Sequence, residues 1–328
     1  MSKLNFAALP LRWRIAIAFA AIYLIWGSTY LAIRFAIETI PPLLMGGIRF
    51  LIAGGALYVV IRWRGVNPPS RIQWRSTFII GALLLVGGNG VITVAEKLVP
   101  SSVASLIIAT VPLWMVLLNW KWGDRVRPSV SVFGGLGLGV LGIALIAMPN
   151  AAVDSSAINP VGMLILVFAA LSWAIGSLYS RRAPLPAEPL MSTAMEMLAG
   201  GALMFVASLL TGQAGQVRLD QVTLRSLVAL GYLVVFGSWI GFTAYVWLLK
   251  VSTPARVSTY AFVNPVVAVF LGWAFAGEAL NARTLIAAAI IIAAVVLITT
   301  QQTKSTERPA AAPANIDQIE AQLPIVLE

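Results

Sequence analysis

Residues 253–278 read TPARVSTYAFVNPVVAVFLGWAFAGE. The run is apolar and long enough to cross a bilayer as a helix, which takes about 20 residues at 1.5 Å rise. Pro265 stands near its middle. In a soluble helix such a proline costs roughly 3 kcal/mol or more. In a membrane helix neighbouring groups take up the freed carbonyl, here that of Ala261. Tyr260 and Asn264 are four apart and share a face beside the proline. The run ends at Gly277-Glu278, where a charge meets water.

Residues 101–124, SSVASLIIATVPLWMVLLNWKWGD, repeat the pattern around Pro112. Lys97 and Lys250 each stand fifteen residues before their proline, and Trp120 and Trp273 each follow by eight. Two such runs with matched flanks imply an internal repeat. A bend at Pro112 and another at Pro265 would each free a carbonyl toward the inside of the bundle, and shaping a cavity is favoured over direct contact with a solute.

The 328 residues are 59% hydrophobic and only 10% charged, with a mean hydropathy of +0.90. A soluble chain of this length needs far more charge for its surface, so this is a polytopic membrane protein. A net charge of +10 would otherwise suggest nucleic acid, but the basic residues sit in short connections between apolar runs and report orientation. The sequence has neither Cys nor His. Disulfides, thiolates and imidazole ligands or bases are therefore excluded, and most hydrolytic and metal chemistry loses its usual residues.

Ten apolar runs follow one another, at roughly 15–37, 43–61, 77–95, 102–119, 130–148, 161–180, 190–210, 226–249, 257–275 and 284–300. Pro, Gly and Asn clusters separate them. The first, after Arg12 and Arg14, is too long for a signal-peptide core. With the N-terminus inside, sixteen Lys and Arg fall in cytoplasmic segments against five outside. Both termini are then cytoplasmic.

Residues 15–148 and 160–300 match further. IYLIWGSTY answers LSWAIGSLY, and Ala53-Gly54-Gly55-Ala56-Leu57 recurs as Ala199-Gly200-Gly201-Ala202-Leu203. Five spans per half is an odd number, so the second half enters the membrane inverted. The expected fold is all-α: ten transmembrane helices as two inverted five-helix repeats, able to rock around a midplane site. The tail, 301–328, is polar and Ala/Pro-rich and reads as a disordered cytoplasmic extension.

The double repeat, WGSTYLAIR in the first helix, Pro-Ser-Ser opening the fourth and VNPVVAVFLGWAFAGE in the ninth resemble the drug/metabolite transporter superfamily, EamA type, and within it the YedA-like inner-membrane members. The resemblance covers about residues 15–300. It implies export of small metabolites (amino acids or related compounds) or drugs through a central cavity lined by the first four helices of each repeat. Gly123-Asp124 replaces the family's more usual Gly-Glu and keeps the charge type.

Gly137-Leu138-Gly139-Val140-Leu141-Gly142 matches a dinucleotide pattern, but it follows no strand and lies inside a span. Gly135 and Gly139 read instead as a close helix contact. Trp26, Ser28, Thr29 and Tyr30, with Trp173, Ser177 and Tyr179, gather aromatics and hydroxyls. Trp26 and Trp173 lie about halfway along their spans, the wrong depth for an interfacial belt, so cavity lining is expected. Asn89, Thr93, Trp239, Thr243, Tyr260 and Asn264 are similar mid-span groups. Glu38, Glu96, Lys97 and Arg34 sit at helix ends as solvated or snorkelling side chains.

Arg49 and Glu196 are the ionisable residues placed well inside spans, where a charge costs at least about 2.5–3.5 kcal/mol. The offset of 147 that maps Trp26 to Trp173 also maps Arg49 to Glu196. Both are candidates to face the cavity and hold a charged or zwitterionic solute, and Glu196 also to carry a coupling proton. The alternative for each is a lock between helices, with Arg49 snorkelling outward. No cofactor, metal or ATP-binding module is expected, and the partners are a small-molecule solute, the bilayer and a coupling proton or ion. The competing functions are a membrane-embedded lipid-modifying enzyme, for which no acid/base cluster is visible, and a receptor, for which no large loop or soluble module is visible.

Overall fold

A computed structural model describes residues 9–95, 98, 107–123, 125, 127–147, 159–276 and 282–301. Every regular element among them is helical. In chain order these are α1 (Leu11–Ala36), α2 (Pro42–Trp63), α3 (Arg71–Ala95), α4 (Val111–Trp122), α5 (Val130–Ala147), α6 (Pro160–Ser180), α7 (Pro189–Leu210), α8 (Leu224–Val251), α9 (Tyr260–Ala276) and α10 (Ala282–Gln301). Among the described residues, α1, α2, α3, α6, α7 and α8 are long and apolar enough to cross a membrane, and α5 and α10 contain shorter apolar stretches.

The prolines that punctuate the sequence open helices rather than only separating them. Pro42, Pro160, Pro189 and Pro254 each occupy the first helical position, where the missing N–H is not needed. Side chains cap several of the same ends. Asn159 Oδ1 accepts from Val161 N at 2.9 Å. Ser70 and Gln73 form a reciprocal capping box at the start of α3.

Pro112 departs from the expected mid-helix bend. A turn at Ala109–Thr110 interrupts the backbone first, and Pro112 is the second residue of α4. There it disrupts no helical hydrogen bond. Pro265 lies inside α9 as expected, and a turn at Ser258–Thr259 separates α9 from the short helix Pro254–Val257. Two further departures are π-helical stretches in the middles of α3 (Ala82–Gly90) and α8 (Leu233–Phe242). The wider turn shifts register locally and commonly marks a functional segment.

Close packing follows the glycines. A Cβ at Gly54 would lie 2.8 Å from Ala194 O and Leu198 N, and one at Gly201 would lie 2.8 Å from Leu51 N. One at Gly47 would lie 2.9 Å from Phe205 N. As α2 residue numbers rise, their α7 partners fall, so the two helices run antiparallel, and the recurring Ala-Gly-Gly-Ala-Leu segments form their crossing. The glycines of α5 act similarly. Gly135 and Gly142 abut Ile298 and Ile291 of α10, and Gly139 abuts the Phe262 ring of α9. That is the helix-packing role expected of the GxxxG pair.

Candidate functional site

The two π-helical stretches and the tryptophans of α1 and α6 build the centre of the molecule. Trp26 of α1 donates from Nε1 to the carbonyl of Gly237 in the α8 π stretch, at 3.1 Å. A Cβ at Gly241 would come within 2.5 Å of the same Nε1, so the missing side chain makes room for the indole. The α3 π stretch receives α6 in a related way. Ser172 donates to Leu83 O at 2.8 Å, and a Cβ at Gly88 would lie 2.5 Å from the Trp173 ring.

Four rings then meet. Trp26 lies 5.9 Å from Trp173, 5.1 Å from Tyr245 and 5.0 Å from Tyr260, centroid to centroid. Tyr245 lies 5.5 Å from Trp173 and 5.6 Å from Tyr260. The Trp26–Trp173, Trp26–Tyr260 and Tyr245–Tyr260 pairs are edge-to-face, a favoured arrangement of aromatic quadrupoles. Polar edges are joined as well. Trp173 Nε1 donates to Tyr245 Oη at 2.8 Å, Ser177 Oγ lies 2.5 Å from the same oxygen, and Ser177 donates to Trp173 O at 2.6 Å. Trp173, Ser177 and Tyr245 are buried, whereas Trp26 is partly exposed.

The other expected residues fall around this cluster with different roles. Tyr23 Oη lies 2.5 Å from Oγ1 of Thr259, the residue before Tyr260. The Asn264 amide, turned so that its NH₂ faces carbonyls, donates to Tyr260 O at 3.1 Å and Tyr23 O at 3.3 Å. Trp239 donates to Ala53 O at 2.8 Å and ties α8 to α2. Ser28 donates to Ile25 O and lies 2.6 Å from Tyr232 Oη. Thr29 and Thr93 bond back to their own helices, at Trp26 O and Gly90 O. Asn89 sits half-buried in the α3 π stretch. Tyr179 packs against the core from the end of α6. The buried Thr243 Oγ1 has no hydrogen-bond partner. The side chains of Tyr30 and Arg34, and residues Glu96 and Lys97, lie outside the described residues.

Arg49 does not snorkel. It is 8% exposed, donates from Nε to Ser238 Oγ at 2.9 Å and covers the Phe50 ring at 4.7 Å. A Cβ at Gly237 would lie 2.7 Å from its guanidinium, so the glycine of the α8 π stretch accommodates Arg49 as well as accepting from Trp26. Glu196 is fully buried, and neither carboxylate oxygen has a hydrogen-bond partner. Among the described residues, Arg49 and Glu196 do not pair with each other. At the helix ends Glu38 is more than solvated, since it lies 3.6 Å from Arg225, which also covers Phe35.

Sequence reasoning missed Tyr245, Gly237, Ser238 and Thr259. Tyr245 and Trp173 are 72 residues apart, and Arg49 and Ser238 are 189 apart. No local pattern links such pairs. The usable signal was the glycine spacing in Gly237-Ser238-Trp239-Ile240-Gly241, which marks where a helix admits a large neighbour.

Comparison with known proteins agrees with this arrangement of helices. The EamA-like transporter family model matches residues 13–148 and again 160–300. The uncharacterized inner membrane transporter YedA of Escherichia coli K12 is 39% identical over 298 residues, covering 90% of this chain and 94% of that protein. The uncharacterized transporter YvbV of Bacillus subtilis is 25% identical over 300 residues, covering 91% and 95%. A crystal structure at 22% identity superposes with a TM-score of 0.70, covering 87% of this chain and 97% of the other.

Proposed function

Since the chain belongs to the EamA-like transporter family, we propose that it exports small organic solutes, amino acids or related compounds or drugs, by alternating access. In this reading ten helices form two inverted repeats, 15–148 and 160–300, with both termini in the cytoplasm of a bacterial inner membrane. The observation that carries it is the meeting of Trp26, Trp173, Tyr245 and Tyr260 from α1, α6, α8 and α9. Rings from both halves of the chain meet there, so rocking the halves would part them and admit a solute between them.

The buried charges fit the same reading. Arg49 offers guanidinium N–H groups beyond the one given to Ser238, and Glu196 offers a carboxylate with no partner. A zwitterionic solute with an apolar side chain would match aromatic faces flanked by one positive and one negative group. A coupling proton at Glu196 belongs to this proposal. The hydroxyls of Ser177, Ser28 and Thr29, the mid-span groups Asn89, Thr93, Thr243, Trp239 and Asn264, and Tyr30 and Tyr179 are assigned to the walls and not to direct contact.

The test is solute flux in proteoliposomes holding the pure protein, against a panel of amino acids, purines, sugars and cationic dyes. Trp173→Ala, inserted to the wild-type level, should abolish flux of any solute the wild type moves. Absence of flux for every class with the wild type, or full flux with Trp173→Ala, refutes the central site.

A further inference from the structure

Away from the central cluster, a groove of about 650 Å³ opens on the outer face of α7 where it meets α2 and α3. Leu51 of α2, Trp74 and Phe78 of α3 and Ala202 and Val206 of α7 line it, with Arg75 near the end where α3 begins. Small residues on α7 give the groove its depth. Its walls are held together because α2 and α7 approach backbone to backbone at Gly54 and Gly201, and α3 and α7 do so at Gly81, whose Cβ would lie 2.6 Å from Glu196 O. Phe78 and Val206 are each 49% exposed, and they lie in membrane-spanning helices, so this opening faces lipid.

The charge at the Arg75 end is of one sign. Residues 39–95 include Arg49, Arg62, Arg64, Arg71 and Arg75 and no Asp or Glu. The α2–α3 connection brings the last four of these to the same end of the helices. Arg75 is exposed, and among the described residues no acidic side chain pairs with it. Glu188, at the neighbouring end of α7, is spent as the cap of its own helix, accepting from Leu190 N. Trp74 is fixed beside the groove by the Tyr58 ring, 5.9 Å away, and an indole at this depth sits at the level of lipid headgroups.

From this we propose that the groove is a binding site for an anionic phospholipid, one acyl chain lying along Ala202 and Val206 and the phosphate held by Arg75. An acyl chain needs an apolar channel running along the helices and open to the bilayer, which this groove is. A guanidinium binds phosphate oxygens in a fork. The excess of arginine at this end, with Glu188 held as a helix cap, favours a headgroup of net negative charge, by about fivefold per basic residue at the membrane surface. The site is independent of whether the protein transports anything.

Native mass spectrometry of the full-length protein, equilibrated with equimolar phosphatidylglycerol and phosphatidylethanolamine vesicles, tests the assignment. The wild type should retain phosphatidylglycerol in preference. Arg75→Gln should lower that preference about fivefold, and Arg127→Gln, an exposed arginine remote from the groove, should leave it unchanged. Ala202→Trp should lose the retained lipid by filling the channel, and Val206→Trp serves if the first variant does not fold. Equal retention of the two lipids, equal effects of Arg75→Gln and Arg127→Gln, or lipid retained when the groove is filled would each overturn the proposal.

Discussion

Glu196 is a carboxylate with no exposure and no hydrogen-bond partner, and Arg49 is a guanidinium with one bonded side-chain partner. A charge left in that state is expensive, so each must gain something from a solute, a proton or a change of conformation. If Glu196 carries a coupling proton, Glu196→Gln should flatten the pH dependence of flux while insertion is unchanged. A wild-type pH profile in that variant makes Glu196 structural. Arg49→Gln should lose flux of charged or zwitterionic solutes selectively; equal loss for neutral ones assigns Arg49 to holding α2 on α8. At Tyr245 the hydroxyl meets Trp173 Nε1 and Ser177 Oγ. Tyr245→Phe leaves the buried indole N–H without its acceptor, so unfolding should become easier by about 1 kcal/mol. Thermal unfolding in nanodiscs reads this directly, and an unchanged midpoint would show that the hydroxyl network contributes nothing to stability.

At the scale of the helix, the contact of α2 with α7 depends on hydrogen in place of a side chain. Gly54→Leu must displace Ala194 O and Leu198 N, backbone atoms that cannot rotate away. Overpacking of this kind costs about 1–3 kcal/mol or more, and Gly201→Leu should do the same from the facing helix. Fluorescence-detected size exclusion after heating should show both variants lost at lower temperature than wild type. α9 presents the opposite case, a helix kept imperfect. Pro265 withholds an N–H from Ala261 O, and Tyr260 and Asn264, one turn apart, precede it. Pro265→Ala should raise helix stability while lowering flux. Undiminished flux in a variant with a straightened α9 would separate the bend from transport. Pro112, at the beginning of α4, predicts a smaller effect of its own alanine substitution, because no internal hydrogen bond is regained there.

At the scale of the whole molecule the chain is a bundle joined at its ends as well as its centre. One end is closed by Glu38–Arg225, Thr39 donating to Ser226 Oγ at 2.8 Å, and Leu43 N donating to Gln213. At another, Arg181 donates to Leu249 O and Ser252 O, and Arg182 to Trp122 O at 2.9 Å. Guanidinium groups at the C-terminal ends of α4 and α8 satisfy carbonyls that those helices leave unpaired. The exposed Glu38–Arg225 pair adds little stability, so it can open at small cost. The excess of basic residues in the connections assigned to the cytoplasm is the ground for proposing a cytoplasmic C-terminus. A reporter active only outside the inner membrane, fused after Glu328, should be silent, and strong activity there would mean an odd number of spans.

Composition and punctuation determined the class. A chain with 10% charge has no way to cover itself in water, and Pro42, Pro160, Pro189 and Pro254, whose missing N–H is not needed at a helix start, mark where helices begin. The positions of Trp26, Trp173, Arg49 and Glu196 along their helices were likewise legible, because position in a helix is distance along the chain. What those side chains meet was not. The rings of Trp26 and Tyr260, the Arg49–Ser238 bond and the isolation of Glu196 depend on which helices become neighbours, and residues far apart in sequence decide that. The π stretches stayed hidden too. A run such as Ala82–Gly90 is equally apolar in either helical register, and it is the approach of Ser172 and Trp173 to Gly87 and Gly88 that fills the space the wider turn provides.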